Sequence, residues 1–279
     1  MIARVFPTRT ALTPTDADAF TGPPPMGLDP PERVMVSVTF TWDMPRARFL
    51  ADQWRTVCQD VQVGGPAFDD PGGEFTPGMF VRPGVVITSR GCPRRCPFCF
   101  VPAREGNIRL LAIKSGWDVQ DNNLLACPRS HIEAVLAMLA GRRHAARFGG
   151  GLDARMVRPW FIRALAGLRI DRLFTAFDQP DQGEPVERFI RQLHGVGLRQ
   201  RQIMVYMVLG LRGDTPDNAD RRAHHIFDLG AVPFVQWVRD AGRRLPIPQH
   251  WKAVVRKWSR PAAMFAGNAV SDQPSLIDV

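Results

Sequence analysis

Three of the five cysteines lie within eight residues, in the spacing Cys92-x3-Cys96-x2-Cys99. Three thiolates can hold three irons of a cubane iron–sulfur cluster, which leaves the fourth iron open to a chelating ligand. A structural zinc site is the alternative interpretation. Because such a site is a closed tetrahedron, zinc would need a fourth ligand from Cys127 or from a distant histidine.

The cysteines directly follow an apolar run at 84–90, which predicts a buried strand. From there the chain alternates strand-like and helix-like segments, which predicts a parallel sheet covered by helices. The strand-like segments are 84–90, 117–125, 147–153, 172–178, 202–210 and 231–238. Six repeats, and not eight, predict an α/β fold in the form of a partial (βα)6 TIM-like barrel. A capping box of Ser130 and Glu133 is expected to open the helix after the second strand.

Several residues that suit binding or chemistry stand where these strands end. Asp121, Asp153, Asp178 and Gly210 each end a predicted strand, as does Cys92. In barrels of this kind the active site lies at the carboxyl ends of the strands, so we expect these residues at one edge of the sheet. The alternative for each is a purely local role, in an Asx turn, a helix cap or a glycine turn.

The N-terminal part has a different composition. The first 35 residues are rich in proline, which predicts an irregular arm. Next come a strand-like stretch at 34–42, a helix-like stretch at 45–54 and a second strand with a glycine turn at 60–68. Together they predict a small β-α-β extension in front of the main sheet.

The C-terminal segment 250–261 is basic and carries Trp251, Val254, Val255 and Trp258 at helical spacing. The favoured interpretation is a helix that packs this apolar stripe on the barrel, and the alternative is a basic aromatic surface for nucleic acid. The predicted divisions of the chain are 1–79 for the arm and extension, 80–240 for the barrel, and 241–279 for the C-terminal helix and tail.

The formal net charge is +9, and only three of the 36 basic residues are lysine. A GC-rich genome would explain the excess of arginine. A phosphate-bearing partner would explain it equally well, because the guanidinium group binds phosphate through two hydrogen bonds.

An odd number of unevenly spaced cysteines argues against a disulfide framework. The sequence also lacks an apolar run of the roughly 20 residues that a membrane span requires, and its first residues do not resemble a signal peptide. We therefore expect a cytoplasmic protein that is not bound to a membrane.

The cysteine motif resembles that of the radical S-adenosylmethionine (SAM) superfamily, in which an aromatic residue precedes the last cysteine, as Phe98 does here. The resemblance covers roughly residues 80–240. It implies a [4Fe–4S] cluster on Cys92, Cys96 and Cys99, with SAM chelating the open iron. Reductive cleavage of SAM, fed by an external electron donor, would then give a 5′-deoxyadenosyl radical that abstracts a substrate hydrogen atom.

The same resemblance implies a set of SAM contacts. The stretch Asp121-Asn122-Asn123 stands where the family holds the SAM amino group and resembles an Asp-Asp-Asn variant of that motif. The segment containing Asp153 and Arg155 resembles the one that faces the ribose and carboxylate. By the same comparison, further contacts to the ribose and the adenine side are implied for Asp178 and Gly210.

The overall layout resembles compact radical SAM proteins encoded by phages and prophages, some of which modify hypermodified thymidine in DNA. It therefore implies DNA as a substrate and the host cytoplasm as the location. The N-terminal extension resembles a truncated cobalamin domain without its cobalt-binding motif, so no cobalamin is expected. Modification of a peptide or metabolite remains open, as does a non-catalytic iron–sulfur or zinc protein that binds nucleic acid.

Overall fold

The computed structural model describes residues 1–70, 72–238, 245–260 and 264–265. Its N-terminal part forms a four-stranded parallel sheet in the order β2-β1-β3-β4. The strands are β1 (Ile2–Val5), β2 (Ala19–Phe20), β3 (Arg33–Ser37) and β4 (Val61–Gly64), and helix α1 (Met44–Trp54) connects β3 to β4. The β-α-β extension expected from the sequence is therefore present as β3-α1-β4.

The expectation of an irregular arm is wrong for the first residues. Strand β1 is an interior strand that pairs with both β2 and β3, and Ala3 and Val5 are fully buried. Strand β1 has only four residues, which is too short for a recognisable strand pattern next to the proline-rich sequence that follows. The proline-rich stretch around 21–32 does run irregularly, but it is tied down where the Trp54 indole N–H donates to the Gly22 carbonyl at 2.9 Å.

The second sheet contains six parallel strands whose spatial order follows the chain, β12-β11-β10-β9-β8-β5. The apolar run expected as one strand divides into β5 (Val85–Val86) and β6 (Ser89–Arg90), and β6 pairs antiparallel with β7 (Arg109–Leu110). The remaining strands are β8 (Asp118–Val119), β9 (Ala146–Phe148), β10 (Ile170–Ala176), β11 (Ile203–Leu209) and β12 (Val232–Trp237). The α/β class with parallel sheets is confirmed.

Four helices follow these strands and bury apolar residues in the core. They are α3 (Arg129–Ala140), α4 (Pro159–Leu165), α5 (Gly183–Gly195) and α6 (Pro216–Asp228). The short helix α2 (Val101–Glu105) follows the cysteines and has no buried residue. Phe148, Phe161 and Phe189 are among the fully buried side chains of the shared core. Since parallel strands in chain order all point the same way, the loops after their carboxyl ends meet at one edge of the sheet.

The start of α3 differs from the expected capping box. The helix begins at Arg129, after Pro128, and the residue before it makes no side-chain cap. The Glu133 carboxylate accepts a hydrogen bond from Arg129 Nε at 2.8 Å, so it pairs along the helix surface and does not reach back to the cap. The Pro128 carbonyl accepts from the N–H groups of His131 and Ile132 at 3.0 and 3.1 Å, and its ring fixes φ at this turn.

No helix in the described ranges is long and apolar enough to cross a membrane.

The last helix, α7 (Lys252–Ser259), packs on the main sheet as the favoured interpretation predicted. Trp251 and Trp258 are 5% and 1% exposed, so neither ring is free to stack on a base. The Trp258 indole N–H donates to Asp220 Oδ1 at 2.6 Å, and Lys257 Nζ lies 3.1 Å from the same oxygen. Asp220 of α6 therefore fixes α7 in place.

We expect Asp220→Ala to lower the free energy of unfolding by about 2 kcal/mol, because it leaves the buried Trp258 indole N–H without an acceptor. Urea titration followed by tryptophan fluorescence measures the loss. Asp217→Ala, an exposed position on the same helix, is the control and should cost no more than about 0.5 kcal/mol through the helix dipole. Equal losses in the two variants would contradict this role of Asp220.

Candidate active site

The cysteine loop starts from a backbone conformation that few residues can adopt. Gly91 has a φ of 84°, and a Cβ at this position would overlap the carbonyl of Asn107. Its N–H donates to Asn122 Oδ1 at 3.1 Å and to Glu105 Oε2 at 3.2 Å, and the N–H of the next residue, Cys92, donates to the Gly106 carbonyl at 3.0 Å. The loop therefore leaves the sheet in one fixed direction.

The three cysteines of the motif are free and partly exposed. The Cys99 N–H donates to the Cys96 carbonyl at 3.0 Å, which closes a turn between them. Burial raises the pKa of both Cys96 and Cys99, and the charge of Cys92 raises each further. The three thiols therefore lie within electrostatic range of one another.

The spread of these sulfurs bears on the kind of metal they suit. In a tetrahedral zinc site with bonds of ~2.3 Å, the ligand atoms stand about 3.8 Å apart. Within the described ranges, the motif cysteines do not form a group of three ligand atoms that all lie within 4.8 Å of one another. At least one pair of these sulfurs therefore stands more than 4.8 Å apart, which is wider than a zinc tetrahedron but suits a cubane cluster, in which each thiolate binds a different iron.

Asn123 lies beside the first thiol. Its Nδ2 donates to Cys92 Sγ at 3.5 Å and lies 3.7 Å from Met156 Sδ. The side chain is 4% exposed, and its Oδ1 has no hydrogen-bond partner among the residues that the structure describes. A buried amide oxygen without a donor is costly, so this position suits a ligand that brings its own N–H group.

An ion-pair network joins the cysteine loop to the end of β9. Asp153 Oδ2 accepts from Arg94 Nε at 2.9 Å, and Asp153 Oδ1 accepts from Arg155 Nε at 2.9 Å. Arg155 also pairs with Asp181 at 2.7 Å. Burial pushes the pKa of Asp153 upward, but the bonds and charge of Arg155 outweigh it and hold the pKa below its usual value.

Arg155 and Asp178 both act on the thiols. The charge and a hydrogen bond of Arg155 lower the pKa of Cys96, although burial raises it overall. Asp178 Oδ1 accepts from the Val208 N–H at 2.6 Å, and burial raises the pKa of this carboxyl to about 6. Its negative charge is the last of the causes that raise the pKa of Cys96 and Cys99, so Asp178 lies within electrostatic range of these thiols.

Asp121 is turned toward the preceding strand. Its carboxylate accepts from the Thr88 N–H and hydroxyl at 2.6 Å each and from the Ser89 hydroxyl at 2.8 Å. It also lies in a buried group with Cys127 and His131, whose ligand atoms are all within 4.8 Å of one another. Asp121 therefore holds the strand that leads to the cysteines, and its acceptor sites are already used inside the protein.

Phe98 lines a cleft, and Gly210 makes room for another wall residue of the same cleft, Trp237. At Gly210, φ is 80° and a Cβ would stand 2.5 Å from the Trp237 ring, so glycine makes room for this indole. The cleft has a volume of about 740 Å³. Its walls carry aromatic and aliphatic side chains, including Phe40, Phe98, Phe100, Val208, Phe234 and Trp237.

Tyr206, the only tyrosine, packs against the hydrophobic core. Its hydroxyl donates to the Gly149 carbonyl at 2.9 Å, and its ring stacks on Phe174 with 4.8 Å between centroids.

Eleven residues were selected from the sequence. Seven of them are the three motif cysteines and four polar residues that lie near the thiols. These are Cys92, Cys96, Cys99, Asn123, Asp153, Arg155 and Asp178. Asn122 and Asp121 instead support the loop backbone, and Phe98 and Gly210 shape the adjoining cleft. Sequence reasoning missed Arg94 and Met156. Arg94 lies between two motif cysteines, which is a signal that could have drawn attention to it.

We expect Asp153→Asn to lower the free energy of unfolding by about 1–2 kcal/mol at neutral pH, since Asp153 and Arg155 are 9% and 15% exposed in their side chains. The pKa of Asp153 is lower in the folded protein than in the unfolded chain. The Asp153 carboxylate therefore stabilises the protein at pH values above its ordinary pKa, and this stabilisation is lost as the pH falls through the pKa of the folded state. Urea titrations across this range should show the variant and wild type converging in acid. Asp171→Asn, at an exposed position on β10, should match wild type throughout; if it loses as much at neutral pH, the network is not the cause.

No protein-family model matches the chain, and no curated protein matches it. The case for a function therefore rests on the geometry of the chain itself.

Proposed function

We propose that the protein is a radical SAM enzyme that carries a [4Fe–4S] cluster on Cys92, Cys96 and Cys99. The observation that supports this most directly is the position of three neighbouring thiols after the first strand of a six-stranded parallel sheet in chain order. With three protein thiolates, one iron of a cubane keeps a free position. The partial TIM-like barrel is part of the same proposal.

The residues around the thiols fit the group. A thiolate set is the usual protein ligand of an iron–sulfur cluster, and the wide spacing of the sulfurs disfavours a single zinc ion. When bound, the cluster supplies the electron that cleaves SAM and so generates a 5′-deoxyadenosyl radical. Asn123 Nδ2, which donates toward Cys92 Sγ, would stabilise the thiolate that the cluster requires.

Three polar side chains would each bind a different group of SAM. Asn123 Oδ1 is a free buried acceptor and would take a hydrogen bond from the SAM amino group. The Arg155 guanidinium would pair with the carboxylate, and Asp178 would accept from a ribose hydroxyl. Arg94 of the cysteine loop and Arg155 both donate to Asp153, so Asp153 holds the loop close to Arg155. The aromatic and aliphatic walls of the adjoining cleft would limit the access of water to a radical formed beside them.

The substrate that we propose is a modified thymidine base in phage DNA. The net charge of +9 suits a polyanionic substrate, and the aromatic walls of the cleft suit a flat, uncharged ring. An external electron donor would supply the reducing electron. Two alternatives differ from this proposal. In the first, the same radical chemistry acts on a peptide or metabolite. In the second, the protein binds nucleic acid and is not an enzyme.

Anaerobic reconstitution with iron and sulfide tests the enzymatic part of the proposal. We expect about four irons per chain, an electron paramagnetic resonance signal of the reduced cluster that changes when SAM is added, and formation of 5′-deoxyadenosine with dithionite. A signal that SAM leaves unchanged, together with no 5′-deoxyadenosine, would overturn the proposal and leave a binding protein. More than about four irons would contradict a single cluster.

A further inference from the structure

A second depression adjoins the aromatic cleft, and its character is different. It has a volume of about 530 Å³ and shares the wall residues Ile247 and Val255 with the cleft. Its other walls include three cations, Lys252, Arg256 and Arg260. No acidic residue in the described part of the chain lines either depression.

The three cations form a row along one face of α7 and its end. Lys252 and Arg256 stand four residues apart on α7, so they project from the same side about 6 Å apart along the helix axis. Arg260 follows the helix in extended backbone and lines the same depression. All three are exposed, and none makes an ion pair with another described residue. By contrast Lys257, on the opposite side, is paired with Asp220. We call Lys252, Arg256 and Arg260 the cation row.

Unpaired surface cations in a row are a common device for binding a phosphate backbone. The aromatic cleft next to them offers what a base needs, since Phe100 and Phe234 are 47% and 41% exposed and can pack against a flat ring. The described wall residues of the cleft are uncharged, and such walls suit the uncharged faces of a base. A base can enter such a cleft only when it is unpaired and unstacked.

We propose that α7 and the cleft form a binding surface for a single strand of DNA, with phosphates on the cation row and one base in the aromatic cleft. This rests on the proposed function in one respect, because Phe98 and Phe100 flank Cys99 and bring the base next to the cluster. Helix α7 is the element that joins the two parts, since Val255 lines the cleft while Arg256 lies on the basic side.

The test measures binding of full-length protein to fluorescently labelled single-stranded oligothymidylate by anisotropy, at a series of salt concentrations. The triple variant Lys252→Gln, Arg256→Gln, Arg260→Gln should flatten the slope of log affinity against log salt by about 2, since each phosphate contact contributes about 0.7. The control removes three exposed charges before β9 and β10, by Arg142→Gln, Arg143→Gln and Arg169→Gln. Equal weakening by both triple variants would overturn the proposal.

A second comparison tests the cleft. An abasic strand keeps its phosphates but has no base, and we expect wild type to bind it about tenfold more weakly than oligothymidylate. Phe100→Ala should abolish this difference and leave the salt slope unchanged. Equal affinity of wild type for both strands would contradict the claim that the cleft binds a base. Tighter binding of the RNA strand of matching sequence would contradict the claim that the bound nucleic acid is DNA.

These measurements need neither SAM nor a reductant. Loss of DNA binding would therefore leave the 5′-deoxyadenosine result standing, and absence of 5′-deoxyadenosine would leave the DNA surface standing.

Discussion

Cys96→Ala should lower 5′-deoxyadenosine formation to the background of a reaction without enzyme. With two thiolates left, the cubane loses one of its three protein ligands, and the iron content should fall well below the about four per chain expected of wild type. Iron and sulfide analysis after anaerobic reconstitution, with chromatography of the nucleoside product, measures both effects.

Two other cysteines provide matched controls. Cys58 lies in the N-terminal core and contacts the Asp60 carbonyl, so Cys58→Ala should keep its cluster and activity. Cys127→Ala separates the cluster from zinc, because Cys127 is the cysteine that could complete a tetrahedral site. Loss of all bound metal in Cys127→Ala, with zinc and no iron in wild type, would refute the assignment of the three motif cysteines to a cluster.

Gly91→Ala should destabilise the protein by about 2–5 kcal/mol, the sum of a left-handed backbone strain and an overlap with fixed backbone. The φ of Gly91 is 84°, and the added methyl group would meet the carbonyl of Asn107. Since the next residue is Cys92, we also expect the variant to bind less iron. Urea unfolding and iron analysis measure the two losses separately.

Gly197→Ala is the control for backbone strain alone. Gly197 follows α5 with a φ of 90°, but nothing stands within 4 Å of the position that a Cβ would take. It should cost about 1–2 kcal/mol and leave iron binding unchanged. If the two variants lose the same stability and both keep their iron, the close packing at Gly91 has no special role in presenting the cysteines.

Much of the fold followed from local pattern. Apolar runs alternating with amphipathic stretches predicted all six strands of the main sheet, because buried parallel strands leave a continuous apolar signal. Strand ends were less predictable. The run at 84–90 divides after Val86, and Ile2–Val5 was missed, since two to four residues carry too little period to outweigh neighbouring prolines.

The candidate chemistry follows from the sequence, because the spacing of Cys92, Cys96 and Cys99 and their position after a strand are local facts. Which polar residues lie near the thiols depends on the folded chain. Asp121 and Asp178 both follow strands, yet Asp121 binds Thr88 and Ser89, while Asp178 binds the Val208 N–H within electrostatic range of the thiols.

The tertiary structure also decided the role of the C-terminal segment, which has a stripe of tryptophans and a row of cations on the same short helix. Asp220 accepts a hydrogen bond from the Trp258 indole and pairs with Lys257, whereas Lys252, Arg256 and Arg260 form no ion pair with any residue that the structure describes. The physical reason is that a side chain's direction and partners are set by contacts between residues distant in the chain, which spacing along the sequence does not encode.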